Sequence, residues 1–280
     1  MFPSLLAALA LTAPVPKPQP IDLSWKFTKG DVFNVTHVED CVVSARLADG
    51  TVVKGVHVTT VAYKVEVMET GPKETVLEVT FVEGNCRSGD DPKKLKLDER
   101  AKLPDLVVKV TLDATRVIIA LDGAEEADKQ LPYAEDVLLK IDTRSRLNSL
   151  LRAVPGKSLA DGAAWQADFK DTPAEDTTIA RAVRGKVGET AGGLAKLTSE
   201  VDVAETGGLD ARLVMNFGCK KATQTVQFDV KAGRVRTVEE SRTLTGKVHG
   251  MVGPGPINAQ ITRIETTKIT VTDEKPKAKK

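Results

Sequence analysis

The sequence predicts a mainly β protein: long antiparallel strands in a strongly curved sheet or open barrel, with one or two helices around residues 125–153 packed on it. Three observations predict this. Apolar and polar residues alternate over most of Leu23 to Thr272, the period of half-buried strands. The alternating runs are long, which favours a large curved sheet over a compact sandwich. One internal stretch, 124–154, drops the alternation for helical spacing.

The elements follow in order. Phe33, Val35, His37, Glu39, Cys41, Val43, Ala45 and Leu47 fall on one face of a first long strand. Asp49-Gly50 supplies a tight turn. Val61, Tyr63, Val65 and Val67 share a face of the next run, Gly71-Pro72 breaks it, and Thr75, Leu77, Val79 and Phe81 resume. Asn85 to Asp105 is dense in charge and reads as a solvated loop. Leu106, Val108, Val110 and Leu112 return to strand, as do Val117, Ile119 and Leu121 before Asp122-Gly123.

Residues 124–154 are rich in Ala, Glu, Leu and Lys. Ala134, Val137, Leu138 and Ile141 sit at helical spacing, and so do Leu147, Leu150, Leu151 and Val154. Pro132 suits a first helical turn, and Pro155-Gly156 is a stop signal. The second half repeats the strand logic. Ile179, Val183 and Val187 come first, then Ala195, Leu197, Val201 and Val203. Leu209 to Cys219 alternates cleanly, and Val226, Phe228 and Val230 follow. A final long pair, Val235–Val248 and Ile257–Val271, is joined by a glycine- and proline-rich loop from His249 to Pro256.

Domain organisation follows. Residues 1–20 read as a secretory signal and proline-rich spacer. Ser4 to Ala13 is apolar but too short to span a bilayer, Ala8-Leu9-Ala10 offers a cleavage pattern, and Pro14 to Pro20 is extended. Residues 21–273 form a single β-rich domain, readable as two halves, 21–123 and 156–273, joined by helical segment 124–155. Residues 274–280 are a disordered basic tail. The expected location is periplasmic or secreted, with no transmembrane span in the mature chain.

Composition narrows function by exclusion. The 40 basic and 39 acidic residues leave a net charge of +1, so no general attraction to nucleic acid or anionic membrane is expected. Aromatics at 4% supply no base-stacking surface. Nucleotide-binding glycine loops, zinc-protease, serine-hydrolase and paired-cysteine motifs are all absent from the sequence. No catalytic, cofactor-binding or metal-ligating residue is assigned, and no cofactor is expected.

Several pieces, taken in order, resemble an uncharacterised family of secreted bacterial proteins, chiefly from planctomycetes, known as a domain of unknown function. They are Leu23-Ser-Trp-Lys-Phe-Thr-Lys-Gly-Asp31, the strand–turn–strand from Val108 to Gly123, Val154-Pro-Gly-Lys-Ser-Leu-Ala-Asp-Gly-Ala-Ala-Trp165, and Phe228-Asp-Val-Lys-Ala-Gly-Arg234. The resemblance implies export and a β-rich fold, and it brings no catalytic residues.

His37 and His57 lie on adjacent strands but about five residues out of register in a hairpin centred on Asp49-Gly50, too far apart to share a metal ion. Cys41 and Cys86 are the pair best separated for a disulfide, which export permits, leaving Cys219 over. The alternative is three separate thiols packed as small hydrophobes. Trp25 and Trp165 read as anchors where each half enters the core. Two functions remain: an exported non-enzymatic protein that binds a hydrophobic ligand or envelope component in its concave face, and a structural or protein-interaction module of the envelope with a packed interior.

Overall fold

The computed structural model describes residues 19–98, 106–131, 142–174, 177–209, 213–252 and 255–274. The expected signal and spacer, nearly all of the basic tail, and the helical spacing at Ala134–Ile141 lie outside them.

Fourteen strands and two helices are described. A two-residue strand, β1 (Ile21–Asp22), pairs with β8 (Ser158–Leu159) and ties the start of the domain to its middle. The first half is an antiparallel meander of β2 (Val32–Leu47), β3 (Val52–Thr70), β4 (Glu74–Gly89), β6 (Leu106–Asp113) and β7 (Ile118–Asp122), with β5 (Lys96–Asp98) beside β4. The second is β9 (Ala164–Ala174), β10 (Thr177–Ala191), β11 (Leu194–Leu209), β12 (Leu213–Asp229), β13 (Arg234–Val252) and β14 (Gly255–Asp273). The last strand pairs with β2 from Asp273↔Phe33 to Ala259↔Leu47. One sheet therefore runs from edge strand β7 through the β2–β14 seam to edge strand β9.

Two sequence expectations shift. The charged stretch after Asn85 is strand as far as Gly89, paired with β3, and strand again at β5. The loop expected over His249–Pro256 is largely strand, with His249 opposite Asn258. In both places charge, glycine and proline imitate a loop while backbone pairing holds.

Helix α1 (Ala124–Gln130) and helix α2 (Thr143–Leu151) fall within the expected segment. Asp142 caps α2 by accepting a hydrogen bond from the Ser145 N–H at 2.6 Å. Asp128 of α1 accepts from the Thr143 N–H and hydroxyl at 2.7 and 2.6 Å, joining the helices.

The position of α2 sets the curvature. Arg144 donates to the Ile118 carbonyl on β7 at 3.1 Å, and Asn148 donates to Asp171 on β9 at 2.8 Å. Arg146 meanwhile reaches Glu39 on central strand β2. A nine-residue helix is about 13 Å long, whereas eleven strands laid flat would span about 47 Å. One helix touches both edges and the centre only because the sheet is curled around it. Bulges help to turn the sheet. In β12 the inward face passes from Phe217 and Cys219 to Ala222 and Gln224 across Lys221, whose φ is 61°.

The core fills this curl at the helical end. Leu23, Val35, Val79, Val108, Val110 and Leu112 are fully buried, and Leu147, Leu150 and Leu151 of α2 join them. The Trp25 indole N–H donates to the Leu151 carbonyl at 3.1 Å. Trp165, 5% exposed, lies flat over Gly185 on the neighbouring strand, leaving no room there for a Cβ. The substitution Gly185→Leu is expected to expel this ring. It should cost about 2–3 kcal/mol through overpacking and shift tryptophan emission to the red, as measured by urea titration followed by fluorescence.

Candidate functional site

Charge enters the concave face in phase with the apolar rows. Glu39 lies between His37 and Cys41 on β2, and Glu240 and Arg242 lie between Val238 and Leu244 on β13. On β14, Arg263 and Glu265 lie between Ile261 and Ile269. Strand alternation sends each of them inward. Cross-strand register then sets them side by side, with Arg242 opposite Glu265 and Gln224 opposite Glu240.

The result is a belt of polar contacts across the middle of the curl. His37 Nε2 lies 3.1 Å from Glu39 Oε1, and Arg146 Nη2 lies 3.8 Å from Glu39 Oε2. Arg242 pairs with Glu265 and, at 3.4 Å, with Glu240. Arg263 meets Glu265 at 2.9 Å and Glu205 at 2.7 Å, and its guanidinium sits 4.8 Å from the Phe217 ring centroid. Glu240 accepts from Gln224 at 3.1 Å and faces Arg181 at 3.7 Å, and the Ser199 hydroxyl donates to Gln224 at 3.2 Å.

The electrostatics suit structure better than acid–base chemistry. Burial alone would raise the Glu39 pKa, but His37 and Arg146 outweigh it and hold the group at about 2. Burial also opposes ionisation of Glu265, and Arg242 and Arg263 overcome it to keep the pKa low. The Cys41 thiol is pushed up to about 12, first by burial and then by Glu265, so it stays protonated and a poor nucleophile.

The residues singled out in the sequence are not gathered at this belt as a site. His37 and His57 are separated as expected, though the offset is four residues: His57 lies opposite Cys41 and His37 opposite Val61. Among the described residues, no group of three or more His, Cys, Asp or Glu side chains could hold a metal. The Cys41–Cys86 bridge is not formed. Strand β3 runs between the two, which puts them about two strand spacings apart, beyond disulfide reach. All three cysteines are buried. The belt itself was missed, although its signal is in the sequence: charged residues in phase with apolar rows at Glu39, Arg242, Arg263 and Glu265.

Two regions flank the belt. On the helical side, seven buried polar atoms lack a hydrogen-bond partner among the described residues: His37 Nδ1, the Tyr63 hydroxyl, Ser145 Oγ, Arg146 Nε and Nη1, Asn148 Oδ1 and Arg152 Nε. Each such atom, if dry, costs about 1–3 kcal/mol. A small cleft of about 20 Å³ lies here between α2 and β9–β12, lined by Ser145, Asn148, Asp171, Arg181 and Gln224 among others. That is room for about one water molecule.

On the other side the inward rows become apolar again. Met215, Val248, Ala259 and Leu47 are successive partners across β12, β13, β14 and β2. Ile261, Ala45 and Val53 form the next row. The described helices pack chiefly on β6, β7 and β9. Val53 is 53% exposed and Ala45, Leu47, Met215 and Ile257 are half-buried, whereas Val248, Ala259 and Ile261 are buried.

Neither a family model nor a curated relative matches the chain. Among solved structures, an outer membrane channel from Pseudomonas putida F1 is 9% identical over 89% of this chain and 97% of that one, with a TM-score of 0.26. Salmonella typhi OmpF in complex with daunomycin is 7% identical over 87% and 99%, with a TM-score of 0.24. Pseudomonas aeruginosa OccK2 is 7% identical over 87% and 99%, with a TM-score of 0.23. Likenesses this distant carry no functional argument.

The outer face of the sheet is mixed: Val42, Val82, Val107, Ile119, Val214 and Ile264 are exposed apolar residues, while β13 and much of β11 turn polar side chains outward. Here the outward positions of β13 are Glu239, Ser241, Thr243, Thr245 and Lys247, and those of β11 include Lys196, Thr198 and Glu200, all exposed.

The belt makes two testable demands. Arg146→Met should cost about 3–5 kcal/mol because it leaves Glu39 buried without its cation, and Glu39→Gln/Arg146→Met should restore most of that loss. This is measurable by urea unfolding. Because the Glu39 pKa is depressed in the folded state, its contribution of about 3 kcal/mol is present above pH 4.5 and is lost as pH falls toward 2. Glu39→Gln should therefore flatten the acid limb of stability between those values.

Proposed function

We propose that this is an exported, non-enzymatic protein that holds a hydrophobic ligand, an acyl chain or molecule of similar form, against the apolar end of its concave face. The observation that carries the reading is the apolar row that continues inward beyond the charged belt, in which Met215, Leu47 and Ala45 are only half-buried beside the buried Val248, Ala259 and Ile261. An apolar wall facing inward on a curved sheet buries a ligand by the same force that builds the core. The belt forms a polar floor to that space. The leader pattern at residues 1–20 supports export to the cell envelope, where such ligands are at hand.

A second reading, a structural or protein-interaction module of the envelope, has one observation in its favour. The helical end is filled by α2, with only about 20 Å³ left in the cleft beside it.

Binding of a fluorescent fatty acid to the delipidated chain separates the two. The carrier reading expects saturable binding. It also expects Ala45→Glu and Met215→Glu each to weaken binding about tenfold or more, by placing a charge on the wall, while near-ultraviolet circular dichroism stays unchanged. Absence of probe binding, together with lipid-free protein from envelope fractions, would leave the interaction module as the better account.

A further inference from the structure

We propose that the protein holds a small inorganic anion, of the size of chloride, buried between Arg146 of α2 and Tyr63 of β3. The site lies on the filled, helical side of the belt and is independent of the ligand reading above.

Three buried side chains stand together there. Register places Tyr63 opposite Val35 and His37 opposite Val61, so the two are diagonal neighbours on the inward face of adjacent strands. Arg146 comes to them from α2, with its Nη2 3.8 Å from Glu39 Oε2. His37, Tyr63 and Arg146 are 2%, 1% and 2% exposed. Arg146 Nε and Nη1, the Tyr63 hydroxyl and His37 Nδ1 have no hydrogen-bond partner among the described residues. Ser145, Asn148 and Arg152, which carry the other three unpartnered atoms on this side of the belt, line the cleft of about 20 Å³, where one water can serve them. His37, Tyr63 and Arg146 do not line that cleft and need a partner of their own.

The chemistry of the group selects an anion. A guanidinium only donates, and a charged group left in the interior without acceptors is among the most costly to bury. Burial pushes the Tyr63 hydroxyl above the ordinary tyrosine range, against the pull of Arg146, so the phenol keeps its proton and is a donor too. A water among these donors has to find acceptors for two hydrogens of its own, whereas an anion has none to place. Charge points the same way. Arg242 is matched by Glu265 and Glu240, which leaves Glu39 to face both Arg146 and His37. Its carboxylate lies 3.1 Å from His37, but at 3.8 Å it meets Arg146 as an ion pair without a hydrogen bond. Gly84, at the inward position opposite Val61, adds no side chain to this part of the face. The surroundings are closed, with Val35, Val61 and Phe81 at 0%, 1% and 2% exposed, which restricts the occupant to a compact monovalent ion.

Bromide, a heavier stand-in with an anomalous signal, tests the site directly. Crystals of the protein grown in sodium bromide should show an anomalous peak in hydrogen-bond contact with Arg146 and Tyr63. Ordered water at that position without anomalous signal, or bromide only at exposed lysines, overturns the proposal.

Urea unfolding at constant ionic strength, with chloride replacing gluconate, tests it in solution. An ion that binds only the folded chain should raise the folding constant about tenfold for each tenfold rise in chloride above its dissociation constant. Tyr63→Phe removes one donor and keeps the ring, so it should need about tenfold more chloride for the same gain. Lys268→Ala, at the exposed pair with Glu239, should respond like the wild type. The readout is the dependence on chloride, so a lower absolute stability of Tyr63→Phe does not obscure it. The same dependence in all three proteins, or none in the wild type, rejects the buried anion.

Discussion

A single nine-residue helix must touch the two edges and the middle of one sheet, and the rest of the fold answers to that demand. Strands β7 and β9 cannot both lie within reach of α2 unless the sheet between them rolls up. Rolling up needs local twist, which the bulges in β4, β12 and β13 supply. It also turns one side of every long strand into an interior. Residues that would lie on an ordinary half-exposed face are instead driven together, apolar rows and charged residues alike.

The charged belt is the consequence with the largest energetic stakes. Buried ion pairs seldom add net stability over a well-packed apolar core, because removing charges from water costs nearly as much as their attraction returns. Their attraction is directional, however, and each partner punishes misplacement of the other. Arg242 between Glu265 and Glu240, and Arg263 between Glu265 and Glu205, lock the register of β11, β13 and β14 against slips that an all-valine interior would tolerate. The belt also divides the interior into a filled chamber under α2 and an apolar wall beyond it.

The fold class was legible because strand alternation is a simple code. The row from Phe33 to Leu47 faces inward residue for residue, and Leu147, Leu150, Leu151 and Val154 are buried as their spacing implies. What escaped depends on distance in the chain. The pairing of β14 with β2 joins residues more than 200 positions apart, and no local pattern announces it. The bulge at Lys221 left only a faint mark, a change of inward parity between Cys219 and Val226. Glu39 shares a face with His37 and Cys41 by alternation alone, but a charge in an apolar row reads as a defect until its partners on other strands are placed. Of the two alternatives for the cysteines, the structure has separate buried thiols, since separation along the chain says nothing of a strand lying between Cys41 and Cys86.

The seam between β2 and β14 has a bearing on how the molecule comes to be. Each meander consists of neighbours in sequence and can assemble from contacts close at hand, but the central seam joins the opening long strand to the final one. Loop closure over that span is slow, and a topology dominated by such a junction folds late in its own synthesis. Until the seam zips, β2 and β14 each offer a bare row of amides to any passing strand.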